Sequence, residues 1–277
     1  MESGKLFLMP LLILCLLCQA LLIVFAPRSL AAQDGRFSEQ QQAKPTHLAY
    51  VQAWEASKQL IDTQAVRALV ARLRSESVAD RTQAIAGLGA IAGDQFGYRP
   101  DGPAMERERG LGRWEVYAQD LEKAMAEWAP SLTQAPSMKN RAERALAAWH
   151  IGADAPHAAF LPLLRQVVAN NEDNYADNAV RSHAIKAISM IRHDGLMEYL
   201  IDHLDTDLAF WVREQLDKLT CPLTASREGR DQAWRAHEDL NRRRPGEDWP
   251  AFKKRYQEWW QKNRATFVYN RSRIMYE

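Results

Sequence analysis

The sequence predicts an all-α fold: an α-solenoid of about four stacked helix pairs, closed by an aromatic C-terminal capping helix. Three observations carry this expectation. Segments starting at Arg81, Arg141 and Arg181 align without gaps, and each has apolar residues at its fifth, eighth and eleventh positions. A second amphipathic stretch precedes each of them. No alternating Val/Ile/Thr run bounded by turn residues signals a strand.

The first segment, "RTQAIAGLGAIAGD", places Ile85, Leu88 and Ile91 on one helical stripe. "RAERALAAWHIGAD" does the same with Ala145, Ala148 and Ile151, and "RSHAIKAISMIRHD" with Ile185, Ile188 and Ile191. Apolar residues recurring every three to four positions define one buried helix face. The preceding helices are read from Ala65, Val116 and Ala158, and a fourth pair starts at Gly195 and Thr206. Arg141 and Arg181 stand 40 residues apart, a period typical of stacked helix pairs.

Residues 66–94 resemble a HEAT repeat of the phycocyanobilin-lyase type, in which an Asp/Arg head opens an Ala-rich second helix ending near glycine. Here that head is Asp80-Arg81. The likeness extends more loosely to residues 138–204. It implies a stack of HEAT-like pairs and a binding role, with no named partner. The family also includes chromophore lyases and hydroxylases, but this chain lacks the paired His-Glu metal-ligand motifs of the hydroxylases. A stacked fold also gives a reason for the Ala and Gly in these helices. Small residues let neighbouring backbones approach, while sparse Ile and Leu fill the seam.

Ahead of this region, Leu6 to Ala26 carry no charge, follow Lys5 and precede "PRSLAA". Residues 1–32 therefore read as an export signal, cleaved after Ala31, or as an uncleaved N-terminal membrane anchor. Either way the remainder is expected outside the cytoplasm: periplasmic, anchored in the inner membrane facing the periplasm, or secreted. Cys15 and Cys18 lack the preceding small residue of a lipoprotein signal. Residues 33–46, with three consecutive glutamines, read as a flexible linker. The helical repeat domain is placed at 47–220 and the C-terminal cap at 221–277. Cys221 is the one cysteine beyond the export segment, which rules out an internal disulfide there. It reads as a buried thiol or as half of an intermolecular bridge.

Net charge is +1, so no global field draws the chain to nucleic acid. Charge is uneven along it: the stretch from Asn171 to Asp217 is acidic, and that from Arg227 to Glu277 is basic. Between Gly93 and Tyr117 lies the longest interruption of the repeat. Its aromatics Phe96, Tyr98 and Trp114 are read as a structural plug or as a partner-binding loop. Asp202, Asp205 and Asp207 form an acidic ridge, the other candidate partner surface. Trp249, Phe252, Tyr256, Trp259 and Trp260 give the last helix an aromatic face beside Lys253, Lys254 and Arg255. Three readings apply to it: a cap sealing the last repeat, a membrane-surface helix, or a platform for stacking bases. The run Arg242-Arg243-Arg244 reads as a solvated turn, with cleavage or an anionic partner as the alternative.

Motifs for bond chemistry are missing from the sequence. There is no His-Glu-x-x-His, no Gly-x-Ser-x-Gly, no phosphate-cradling Gly-x-x-x-x-Gly-Lys and no haem-attaching Cys-x-x-Cys-His. His150 and His157 are spaced to share a helix face, but Gly152 and Pro156 interrupt it, and the pairs His193-Asp194 and His203-Asp205 read as solvated side chains. No cofactor and no metal are expected. The sequence points to an exported or membrane-anchored, non-enzymatic protein-interaction scaffold whose partner is another protein. A peripheral membrane-surface factor using the C-terminal helix is the alternative, and an enzyme of unknown reaction the third reading.

Overall fold

The computed structural model describes residues 45–94, 96–170, 175–221 and 227–267. The export segment and nearly all of the expected linker lie outside them. What is described is helical, with no strand among those residues. No described helix is long and apolar enough to cross a membrane.

α1 (Pro45–Lys58) starts two residues before the expected domain edge, with proline opening the first turn. Proline suits that position because its missing N–H would have no helical acceptor there. α2 (Thr63–Arg72) and α3 (Val78–Ala92) follow as an antiparallel-type pair joined by a short loop. The Asp62 carboxylate caps α2 through the Ala65 N–H at 2.9 Å, and Ser77 caps α3. Gly93, at φ 70°, stops α3 in a left-handed conformation that a β-carbon disfavours.

α4 (Ala104–Lys123) joins two segments that the sequence pattern separates at Trp114. It continues through a π turn at Ala124–Trp128 into α5 (Ala129–Thr133). Then come α6 (Arg141–Ala153), a 3-10 turn at Ala158–Phe160 leading into α7 (Leu161–Ala169), and α8 (Tyr175–Met190). α9 (Leu196–Asp202), α10 (Ala209–Thr220), α11 (Arg227–Asn241) and α12 (Trp249–Asn263) complete the chain.

The three aligned segments become α3, α6 and α8, and the stripe is buried as expected. Leu88, Ala148, Ile151, Ile185 and Ile188 are almost wholly sealed, and only Ile91 stays half-buried. The leading arginines, however, differ. Arg81 is buried and donates to the carbonyls of Ser75 and Glu76 and, through Nε, to that of Pro100 at 2.8 Å. Arg181 is buried too, donating to Val168 O at 2.9 Å and gripping the Asp207 carboxylate. Each therefore ties a preceding loop or helix end to a later segment. In α6 the buried arginine is Arg144, one turn beyond the aligned Arg141, and it lies 5.6 Å from the Tyr50 ring of α1.

The seams are also unequal. α6 and α8 form the most extensive contact in the molecule, and α8 goes on to α10. α3 has no comparable seam with α6 and packs on α2 instead. The insertion explains this: Tyr98 donates to Leu73 O behind α2, while Tyr117 donates to Pro156 O beyond α6. Its aromatics thus stand between the ends of α3 and α6. α1 returns to the middle of the chain, packing on α5 and α7, with Trp54 stacked on Phe160 at 6.2 Å.

Candidate functional site

The insertion builds a site from its turn outward. The Asp94 carboxylate accepts the Phe96 N–H at 2.8 Å, and Phe96 adopts φ 45°. A bulky residue at positive φ is strained and persists only where its surroundings enforce it. Here the ring meets Trp114 edge-on at 4.6 Å and Tyr117 at 5.6 Å, while Trp114 and Tyr117 meet edge-on at 5.3 Å. Two residues on, Tyr98 sits so close to α4 that a β-carbon on Gly110 would lie 2.9 Å from its α-carbon.

Tyr98 is 1% exposed and Trp114 0%. The partner-binding expectation therefore fails at both: buried side chains offer a partner nothing, and they act as a plug. Burial also raises the phenol of Tyr98 above its ordinary pKa, and that of Tyr117 further still. Phe96 differs, since it is half-buried with one face open.

That open face is part of a groove of about 380 Å³ along the outer side of α4. Its floor is Phe96, Gly112, Val116 and Tyr117, and Ala153 of α6 closes one side. Arg109 and Arg113, one turn apart, line one end, and Asp120 and Asp154 the other. Among the described residues, Arg109, Arg113 and Asp120 make no ion pair. The Asp120 carboxyl is pushed above the usual carboxylate range, first by burial and then by the negative Asp154. Asp154 in turn is hydrogen-bonded to His150 Nδ1 at 2.6 Å, and the His150 ring stacks on Trp128 at 4.7 Å. The groove thus offers cations, an apolar middle and anions in one line.

Several charged groups elsewhere are paired within the domain. Arg67 pairs with Glu122 and Arg74 with Glu115 across a second hollow of about 300 Å³ between α2 and α4. The acidic ridge is similarly engaged. Lys253 of α12 donates to Asp202 O at 2.8 Å and to the Asp205 carboxylate at 2.9 Å, which holds that carboxyl below its ordinary pKa. Asp207 is taken by Arg181. Of the ridge, the Asp202 carboxylate is the group left facing outward.

The C-terminal helix turns its aromatic face inward. Phe252, Tyr256 and Trp260 are buried, and Trp249 and Trp259 are half-buried against the same core. Trp260 Nε1 donates to Glu198 of α9 at 2.7 Å, and the Tyr256 hydroxyl to Asn241 of α11 at 2.5 Å. These contacts pack α12 against α9 and α11. They remove the aromatic face that the membrane and base-stacking readings require. The arginine run is a structured turn, with Arg243 over the Trp249 ring at 4.7 Å and Arg244 3.2 Å from Asp239. Cys221 is a buried thiol.

Among the described residues the histidines do not gather. His193 Nδ1 contacts Asp194 O at 2.7 Å, and His203 Nδ1 contacts Tyr199 O at 2.8 Å. His157 Nδ1 accepts the Ala159 N–H at 3.0 Å and caps the 3-10 turn. Among the described residues, no group of three ligating side chains could hold a metal.

Of the aromatics singled out in the insertion, Phe96 alone reaches the groove. Its charged walls were missed, although their spacing was visible. Arg109, Arg113, Val116 and Asp120 fall at i, i+4, i+7 and i+11, one helix face. No family model, curated protein or solved structure matches the chain.

Proposed function

We propose that the chain is an exported or membrane-anchored, non-enzymatic scaffold that holds another protein in the groove along α4. The observation that carries this reading is the separation of opposite charges, Arg109 and Arg113 at one end of an open apolar groove and Asp120 and Asp154 at the other. Arg109 and Arg113 stand without an ion pair to Asp120, ready for charges from outside. The underlying architecture would be a stack of about four HEAT-like pairs. The Arg81 and Arg181 ties, the α6–α8–α10 succession and the packing of α12 against α9 and α11 support that architecture. Placement outside the cytoplasm rests on the uncharged run from Leu6 to Ala26.

The test is site-specific crosslinking in intact cells with the full-length chain. A photoreactive residue at Val116 in the groove is compared with others at Leu146 and Phe210, exposed positions on α6 and α10. The expected result is a discrete protein adduct from Val116, carried by the fraction outside the cytoplasm. Absence of any adduct at all three positions overturns the scaffold reading.

A further inference from the structure

We infer that the groove recognises an extended segment of a partner protein bearing one acidic and one basic side chain four residues apart, the acid at Arg109 and Arg113 and the base at Asp120 and Asp154. This rests on the scaffold reading and adds the chemistry of the occupant.

The helix sets the length. From the midpoint of the two arginines to Asp120 is nine residues of α4, about 13 Å at the α-helical rise. An extended chain advances about 3.3 Å per residue, so about four residues span that distance. In such a chain positions i and i+4 also point to the same side, so both charges reach the same wall. Along this length the groove is open to solvent. A small ligand would leave most of its surface wet, whereas a chain can pass through and continue beyond both ends.

Gly112 gives independent support. A glycine inside a helix costs about 1 kcal/mol of propensity unless something uses the space it leaves. Gly110 has such a use in Tyr98, but a β-carbon on Gly112 would meet nothing within 4 Å. The helix backbone is therefore bare at the groove centre, between the cationic and anionic ends, where a passing main chain could come close. Val116, 56% exposed, and the open face of Phe96 provide apolar contact beside it.

The test uses fluorescein-labelled seven-residue peptides of Ser, Ala and Val carrying a glutamate and a lysine, titrated with the full-length chain by fluorescence anisotropy. Two peptides place the charges at positions two and six, one in each order, to cover both directions of the chain through the groove. A third places the charges side by side, and a fourth replaces both with glutamine. At least one spaced peptide is expected to bind tenfold or more tightly than the adjacent and neutral ones. R113E should cost it tenfold and restore binding to a peptide with lysine at both positions. Gly112→Leu should abolish binding while the thermal midpoint does not fall. Equal binding by spaced, adjacent and neutral peptides overturns the inference, as does full binding by folded Gly112→Leu. If the peptides fail while Val116 still yields its crosslinked adduct, the groove chemistry is wrong and the scaffold reading stands.

Discussion

A β-carbon added to Gly152 would lie 2.4 Å from the α-carbon of Ala187, in the closest approach of α6 to α8. Main chain cannot move aside as a flexible side chain can. Gly152→Ala must therefore open the most extensive helix contact in the molecule or stop it forming. The expected cost is about 3 kcal/mol or more, in the range of severe overpacking. Gly112→Ala provides the internal control, since it meets nothing and gains helix propensity. It should stabilise by up to about 1 kcal/mol. Urea unfolding of both variants checks the pair, and a Gly152→Ala as stable as wild type would refute the close-packed seam.

Arg81 holds three carbonyls, those of Ser75, Glu76 and Pro100, from a buried position. Arg81→Met keeps much of the volume and strands all three acceptors. Unsatisfied buried acceptors cost about 1–3 kcal/mol each, less where water reaches them. A total loss of about 3 kcal/mol is expected. Arg81→Lys should recover only part of it, because one ammonium cannot copy the forked geometry that reaches both loops. Denaturant midpoints for the two variants test this ranking, and equal stability of both with wild type would contradict it.

These two sites also show what the sequence made legible. The apolar stripe through Leu88, Ile151 and Ile188 could be read because helical burial imposes its own period. The arginine heads could be aligned, yet their work could not be read. Arg81 and Arg181 reach acceptors in other segments, and Arg144, buried ahead of Arg141, meets the Tyr50 ring of the distant α1. A residue such as Tyr98 looks the same in sequence whether its ring faces water or Leu73 O. The groove was hidden for a similar reason. Asp154 belongs to the end of α6, and nothing local places it beside Asp120 of α4.

The docking of α12 on the end of α11 should depend on Arg255. It forms a two-pronged pair with Glu247 at 2.9 Å and also donates to the carbonyls of Asp239, Leu240 and Arg242. That hydrogen bond holds the Glu247 carboxyl below its ordinary pKa. Arg255→Lys loses the paired geometry and leaves carbonyls of the α11 end without donors. A loss of about 1–3 kcal/mol is expected. Loosening should appear as faster amide exchange in α11 and α12, with α6 and α8 unaffected, as befits a local unit. Uniform acceleration across all helices would count against a separable C-terminal unit.

Acid should weaken the fold through His157. Burial pulls its pKa down to about 4 from 6.5, and its neutral Nδ1 accepts the Ala159 N–H that starts the 3-10 turn. The folded state thus binds this proton less readily than the unfolded chain. Stability from this group is complete above pH 6.5, falls as pH drops toward 4, and changes no further below that, where both states are protonated. After allowance for partial solvent access, the loss is about 2 kcal/mol, or 4–8 °C in the thermal midpoint at this size. His157→Asn keeps a side-chain acceptor for the turn and cannot titrate in this range. Its midpoint should therefore change less than that of wild type between pH 7 and pH 4.5, by about the same amount. Parallel curves for the two proteins would show that the acid sensitivity arises elsewhere.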